Sequence, residues 1–143
     1  MELIDIVDEN NKLTGQVEER WVAYEKGLWR RTVSCWIMNE KGKILMQKRT
    51  PNKKRNPNKW AKTGGQVDSG ETPEEAIARE VKEEIGIEIP RNQIVSYKVF
   101  KSDEKNKRFS YNYLFIVGYK LGDYVLQKEE VAEVKYFTIE ELE

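Results

Sequence analysis

From Arg108 to Lys120 the residues Phe109, Tyr111, Tyr113, Phe115, Val117 and Tyr119 recur at every second position. A period of two puts them on one face of a strand, and a continuous aromatic and aliphatic row of this kind reads as core. Only residues at the strand ends are placed to stack on a ligand ring. The charged turn Ser102 to Lys107 separates this run from a second strand over Gln93 to Lys101, which predicts a hairpin. An earlier hairpin is predicted where Leu3 to Val7 returns through Asp8 to Asn11 into Lys12 to Gly15. Arg31 to Asn39 and Ile44 to Arg49 flank the turn Glu40 to Lys43 and should pair antiparallel.

Between these strands the pattern changes. Glu18 to Lys26 predicts a short helix closed by Gly27, with Trp21, Val22 and Leu28 to pack it down. Pro51 to Lys59 has two prolines and no apolar residue, so it is read as a surface loop; Trp60 then opens a short strand into Gly64 and Gly65. Leu121 to Glu130 reads as polar loop, Val131 to Phe137 as a last strand, and Thr138 to Leu142 as a capped helix start. The order gives a mixed sheet with inserted helices, without regular βαβ units.

The most legible element starts at Thr72. Thr72 can cap a helix, Pro73 suits its first position, and Glu75 completes the capping box, so a helix is predicted from about residue 73 to Gly86, with strand-like Ile87 to Ile89 beyond. Glu80, Glu83 and Glu84 stand at i, i+3 and i+4 and project from one face. Like charges at that spacing destabilise a helix unless a cation sits among them. Either the face is simply solvated, or it holds a hard divalent cation such as Mg²⁺, which takes oxygen ligands and is bound by few carboxylates together with substrate phosphates.

At 143 residues the chain is expected to form one domain. Lys plus Arg and Asp plus Glu number 25 each, so no global field draws it to nucleic acid or anionic membrane. The single cysteine, Cys35, excludes an intrachain disulfide and fits a reducing, cytoplasmic setting; with no histidine to activate it, it reads as a buried strand residue rather than a nucleophile. The first residues, MELIDIVDENN, carry early acids and no long apolar run, and predict neither a signal peptide nor a membrane anchor.

Gly65, Glu71 and then Arg79-Glu80-Val81-Lys82-Glu83-Glu84-Ile85-Gly86-Ile87 resemble the Nudix box, G-x5-E-x7-R-E-U-x-E-E-x-G-U, at every fixed position. The resemblance implies the Nudix fold, an α/β/α sandwich around a mixed β-sheet, and Mg²⁺- or Mn²⁺-dependent hydrolysis of a diphosphate linked to a group X by attack of water. By position it makes Glu80, Glu83 and Glu84 the metal ligands, with Glu83 and Glu84 catalytic and the Gly65 carbonyl a further ligand. Glu71 and Arg79 would hold loop to helix. For the general base it leaves Asp103, Glu104, Glu129, Glu130 or a box glutamate open.

Gln47-Lys48-Arg49, the basic loop, Trp60 and Gly64-Gly65 are similar to the family branch related to isopentenyl-diphosphate isomerase, which also contains hydrolases. A true isomerase of that type uses three histidines, and this chain has none. A binding module without catalysis would be expected to lose a box glutamate, whereas all remain. From Lys48 to Lys62 seven basic residues (Lys48, Arg49, Lys53, Lys54, Arg55, Lys59, Lys62) occur with no acid. The patch reads as an anion funnel, a solvated loop or an RNA contact. The expected substrate is a small nucleoside diphosphate derivative held by Lys48, Arg49, Lys53, Lys54, Arg55 and Lys62, with Trp60 either stacking a base or packing the strand. Charge balance argues against a long polyanion, and a homodimer is compatible with this reading.

Overall fold

The computed structural model describes residues 2–53, 56–89, 93–102 and 106–142. Strands β1 (Leu3–Val7) and β2 (Leu13–Glu19) form the first hairpin. Helix α1 spans Arg20–Lys26 and stops at Gly27, whose φ of 65° is the left-handed turn that a side chain would oppose. It is shorter than the sequence predicts, because Glu18 and Glu19 remain in β2, paired with Ile4 and Leu3. Trp21 is 60% exposed and does not pack the helix down; Ala23 does, against Ile4 and Ile6, with Leu28 beside them.

The main sheet contains β3 (Arg30–Met38), β4 (Ile44–Arg49), β5 (Trp60–Ala61), β6 (Thr63–Gln66), β7 (Ile94–Ser102), β8 (Arg108–Ile116) and β9 (Val131–Phe137). Its path runs β5-β4-β3-β8-β7, with β6 on β3 and β9 on β4. Among the described residues only β3 and β8 pair in parallel; the sheet is therefore mixed, as expected. Ile87 to Ile89 is irregular, not a strand, although Ile87 and Ile89 are buried. Leu121–Asp123 forms a 3₁₀ turn in the segment read as loop, followed by the buried Tyr124. The second hairpin forms between β7 and β8, and β8 ends at Ile116.

One feature of the sheet makes room for a site. β3 pairs with β4 only at Ile37 and Met38, and from Cys35 back to Thr32 it pairs with β6. β4 therefore leaves β3 and continues against β5 and β9. Helix α2 (Pro73–Ile85) packs Ala76, Ile77, Val81 and Ile85 on the apolar face made by Val33, Cys35, Ile37, Tyr113 and Phe115. Burying these four side chains at about 25 cal/mol per Å² fixes the axial rotation of α2, and hence where its glutamates point. A four-residue helix, α3 (Ile139–Leu142), follows β9; Thr138 and Glu141 exchange capping hydrogen bonds of 3.0 and 3.1 Å there. Among the described residues no helix is long and apolar enough to cross a membrane.

Candidate active site

The capping box of α2 is present in both directions: Thr72 N–H donates to Glu75 Oε1 at 3.0 Å and Glu75 N–H to Thr72 Oγ1 at 3.1 Å. At the other end Gly86, with φ 74°, closes the helix. The last carbonyls accept from the chain that follows, Val125 N–H to Ile85 O and Gln127 N–H to Glu84 O, each 3.0 Å. Those bonds satisfy groups every helix leaves open and seat the segment Gln127 to Glu130 beside the glutamates.

Arg79 is the hub. Its Nε and Nη2 donate to both oxygens of Glu71 at 2.7 and 3.1 Å, the two-pronged geometry only a guanidinium supplies. Nη2 also reaches the Gln66 carbonyl at 3.0 Å and Asp68 at 3.3 Å, while Nη1 reaches Glu80 at 2.9 Å and Glu83 at 3.4 Å. Glu71 in turn accepts from Asp68 N–H at 2.8 Å. The loop from Gln66 to Glu71 is thus fastened to the helix. It is also fastened to β1, where Asp5 accepts from Ser69 Oγ and Gly70 N–H at 2.7 and 3.0 Å.

The three glutamates do not share one exposed face as the spacing alone suggests. Glu83 is half exposed, but Glu84 is buried at 9% exposure and Glu80 nearly so. Burial drives the Glu80 and Glu84 carboxyls up from 4.5 to about 7, and the Glu80 charge adds to the effect at Glu84. Gln47 in β4 donates to Glu84 Oε1 at 3.4 Å and accepts from Thr63 Oγ1 at 3.3 Å. Among the described residues no three acidic side chains gather closely enough to enclose an ion. Glu80 and Glu83 turn to Arg79 and Glu84 to Gln47, yet all three line one cavity of 320 Å³ with Gly65 and Glu130. An added β-carbon on Gly65 would fall 2.4 Å from Glu80 Oε1, so the carboxylate occupies the space a side chain would need. Arg20, Arg49, Lys53 and Arg79 line the same space, and the groups in it that can ligate a metal include the carboxylate oxygens of Glu80, Glu83 and Glu84, the hard donor chemistry Mg²⁺ or Mn²⁺ takes, with waters and substrate oxygens completing the shell.

Of the basic residues expected to bind substrate, Arg49 and Lys53 line this cavity, and Lys53 pairs with Glu130. Arg49 and Lys62 line a second cavity of 550 Å³ beyond Gly64 and Gly65. Lys48 and Trp60 are not among the residues lining either; the Trp60 ring meets Phe137 edge-on at 5.1 Å. Lys54 and Arg55 lie outside the described residues, as do Asp103 and Glu104 among the candidate bases; Glu130 lines the first cavity and Glu129 does not. Sequence reasoning missed Asp68 and Arg20 at the first cavity and Gln47, Arg30 and Arg108 at the second. The polar alternation Arg30, Thr32, Ser34 is the signal that would have found the second group.

The NUDIX domain family model matches residues 28–143. A Nudix hydrolase of Listeria monocytogenes is 36% identical over 100% of this chain and 83% of its own. An isopentenyl-diphosphate Delta-isomerase of Streptomyces avermitilis, in keeping with the branch the sequence resembles, is 29% identical over 98% of this chain and 73% of its own. A crystal structure from Deinococcus radiodurans matches with a TM-score of 0.75 and 26% identity, over 99% of this chain and 86% of that one. With the box intact and carried on this mixed sheet, the chain belongs to the Nudix family and is a Nudix pyrophosphohydrolase.

Proposed function

We propose that the protein hydrolyses the diphosphate linkage of a small nucleoside diphosphate derivative, using Mg²⁺ or Mn²⁺ held by Glu80, Glu83, Glu84 and the main-chain carbonyl of Gly65. The observation that carries this reading is one cavity in which the buried Glu84 and the nearly buried Glu80, whose charge pushes the Glu84 carboxyl up, face Arg49 and Lys53. Burying two carboxylates side by side is costly unless a cation joins them. A bound divalent ion supplies charge neutralisation on the phosphate oxygens and lowers the pKa of an attacking water.

The chain's own groups do the rest. Arg79 holds Glu80 and Glu83 in place through one guanidinium nitrogen, so both glutamates are oriented before substrate arrives. Arg49 and Lys53 bind the diphosphate oxygens. Glu130 is the candidate base: it lines the cavity, and an incoming diphosphate competes for the Lys53 ammonium that now pairs with it, which frees the Glu130 carboxylate to take a proton from water. Product analysis on a panel of nucleoside diphosphate derivatives, with Mg²⁺ and then with excess chelator, tests the reading. Cleavage at the diphosphate that the chelator abolishes supports it; no cleavage of any diphosphate with either metal overturns it.

A further inference from the structure

The second cavity is built from the face of the sheet turned away from the core. In β3, Val33, Cys35 and Ile37 are buried in the core, and Arg30, Thr32 and Ser34 occupy the alternate positions. The parallel register sets Arg30 beside Arg108, Thr32 beside Ser110 and Ser34 beside Asn112. The pairs bond to each other, Thr32 Oγ1 with Ser110 Oγ at 3.1 Å and Ser34 Oγ with Asn112 Oδ1 at 2.7 Å. Lys62 Nζ donates to the same Asn112 Oδ1 at 2.9 Å and stands 4.6 Å from the Trp36 ring centroid.

A polar outer face is ordinary in a sheet open to water. This one is a concave cavity of 550 Å³ whose walls, among the described residues, carry Arg30, Arg49, Lys62 and Arg108 against one acid, Glu84. Arg30 is 5% exposed, so its charge is held inside the protein rather than on a solvated rim. Asn106 also lines the cavity, and its Oδ1 is a buried acceptor that has no donor among the described residues. Such a group is costly unless a ligand or water supplies a hydrogen. Arg49, Gly64, Gly65, Gln66 and Glu84 line both cavities, whereas Arg30, Lys62 and Arg108 line only the second. A diphosphate lying over the glutamates therefore reaches Arg49, and a further set of cations remains beyond it. Among the described residues Phe100 is the one aromatic lining the space, which is thus equipped for charge and hydrogen bonds more than for ring stacking.

We infer that this cavity receives the X group of the substrate and selects an X that bears a phosphate monoester on a hydroxyl-rich skeleton, a phosphorylated sugar or polyol. The phosphate meets Arg30, Arg108 and Lys62, and a hydroxyl donates to Asn106 Oδ1. The inference rests on the hydrolase reading above for the meaning of X, but its test needs no turnover.

Ribose 5-phosphate and ribose are titrated into the metal-free, chelator-treated protein, followed by amide chemical shifts in a ¹H–¹⁵N spectrum. The expected result is saturable perturbation centred on Thr32, Ser34, Ser110 and Asn112 with ribose 5-phosphate, and about tenfold weaker binding of ribose, the scale of one lost charge-assisted hydrogen bond. Arg108→Gln should weaken ribose 5-phosphate by about the same factor and leave ribose unchanged. Equal binding of the two sugars by the wild type overturns the inference, whether or not the variant folds. So does perturbation confined to Gly65, Glu80 and Glu84, which would place the phosphate in the first cavity. Failure of the diphosphate panel removes the hydrolase reading without altering this map, so the two failures are told apart.

Discussion

Gly65 and Glu80 compete for one volume: a β-carbon at residue 65 would lie 2.4 Å from Oε1 and 2.5 Å from Cδ of the Glu80 carboxylate. Gly65 needs to be glycine for space. Gly65→Ala must displace the Glu80 carboxylate, which Arg79 holds at 2.9 Å. We expect kcat to fall more than tenfold with the fold retained, since the clash is with the end of one side chain. In a double-mutant cycle with Glu80→Ala the two losses should be strongly non-additive. Full additivity, or wild-type turnover in Gly65→Ala, would refute the relationship.

Arg79 makes bonds to Glu71, Gln66, Glu80 and Glu83 that a lysine ammonium cannot reproduce as a set. Arg79→Lys should lower the unfolding free energy by roughly 1–3 kcal/mol, the cost of leaving partly buried carboxylates short of partners, and reduce turnover as well. Chemical denaturation and steady-state kinetics on the same preparation check both effects. Wild-type values in each would contradict the hub role.

The buried carboxylates predict a pH dependence of metal-free stability. Glu80 and Glu84 titrate near 4.5 in the unfolded chain and at about 7 in the fold. Between those values the folded state binds more protons, so their contribution to stability is present below about pH 4.5 and is lost as pH rises through about 7. With chelator present, Glu84→Gln should flatten this decline and gain about 1 kcal/mol over wild type at pH 7.5. Mg²⁺ should stabilise the wild type there, because the cation replaces the protons. Melting curves from pH 5 to 8, with Mg²⁺ and with chelator, measure this; a variant that tracks the wild type throughout would show that Glu84 carries no such penalty.

Glu130 was one of several bases compatible with the sequence, and its place on the cavity wall singles it out for test. Glu130→Gln should lower kcat by about a hundredfold and remove the acid limb of the pH-rate profile, with KM changed little. An unchanged limb would return the role to a box glutamate.

The α2 helix was readable to within a residue because its signals are local: a capping threonine, a proline and a closing glycine within one segment. The strands were readable by their alternation. What escaped depended on pairing. Glu18 and Glu19 look helical by composition but are claimed by β1, and Ile87 to Ile89 look like a strand but pair with no strand among the described residues. Likewise, the spacing of Glu80, Glu83 and Glu84 shows that they are neighbours, whereas the burial of Glu84 comes from Gln47 and β6, which are remote in sequence. The second cavity arises only when β3 and β8 lie side by side in parallel, a register no local pattern encodes.

Metal-dependent hydrolysis through Glu84 is tested by the dependence of the rate on Mg²⁺ concentration for the wild type and Glu84→Gln, on whichever nucleoside diphosphate derivative is cleaved fastest. The wild type should show a saturable requirement for the metal, and Glu84→Gln a kcat lower by about a hundredfold or more at saturating Mg²⁺, the scale of removing one group that stabilises developing charge. Turnover that persists in excess chelator, or a Glu84→Gln variant that matches the wild type at saturating Mg²⁺, would contradict it.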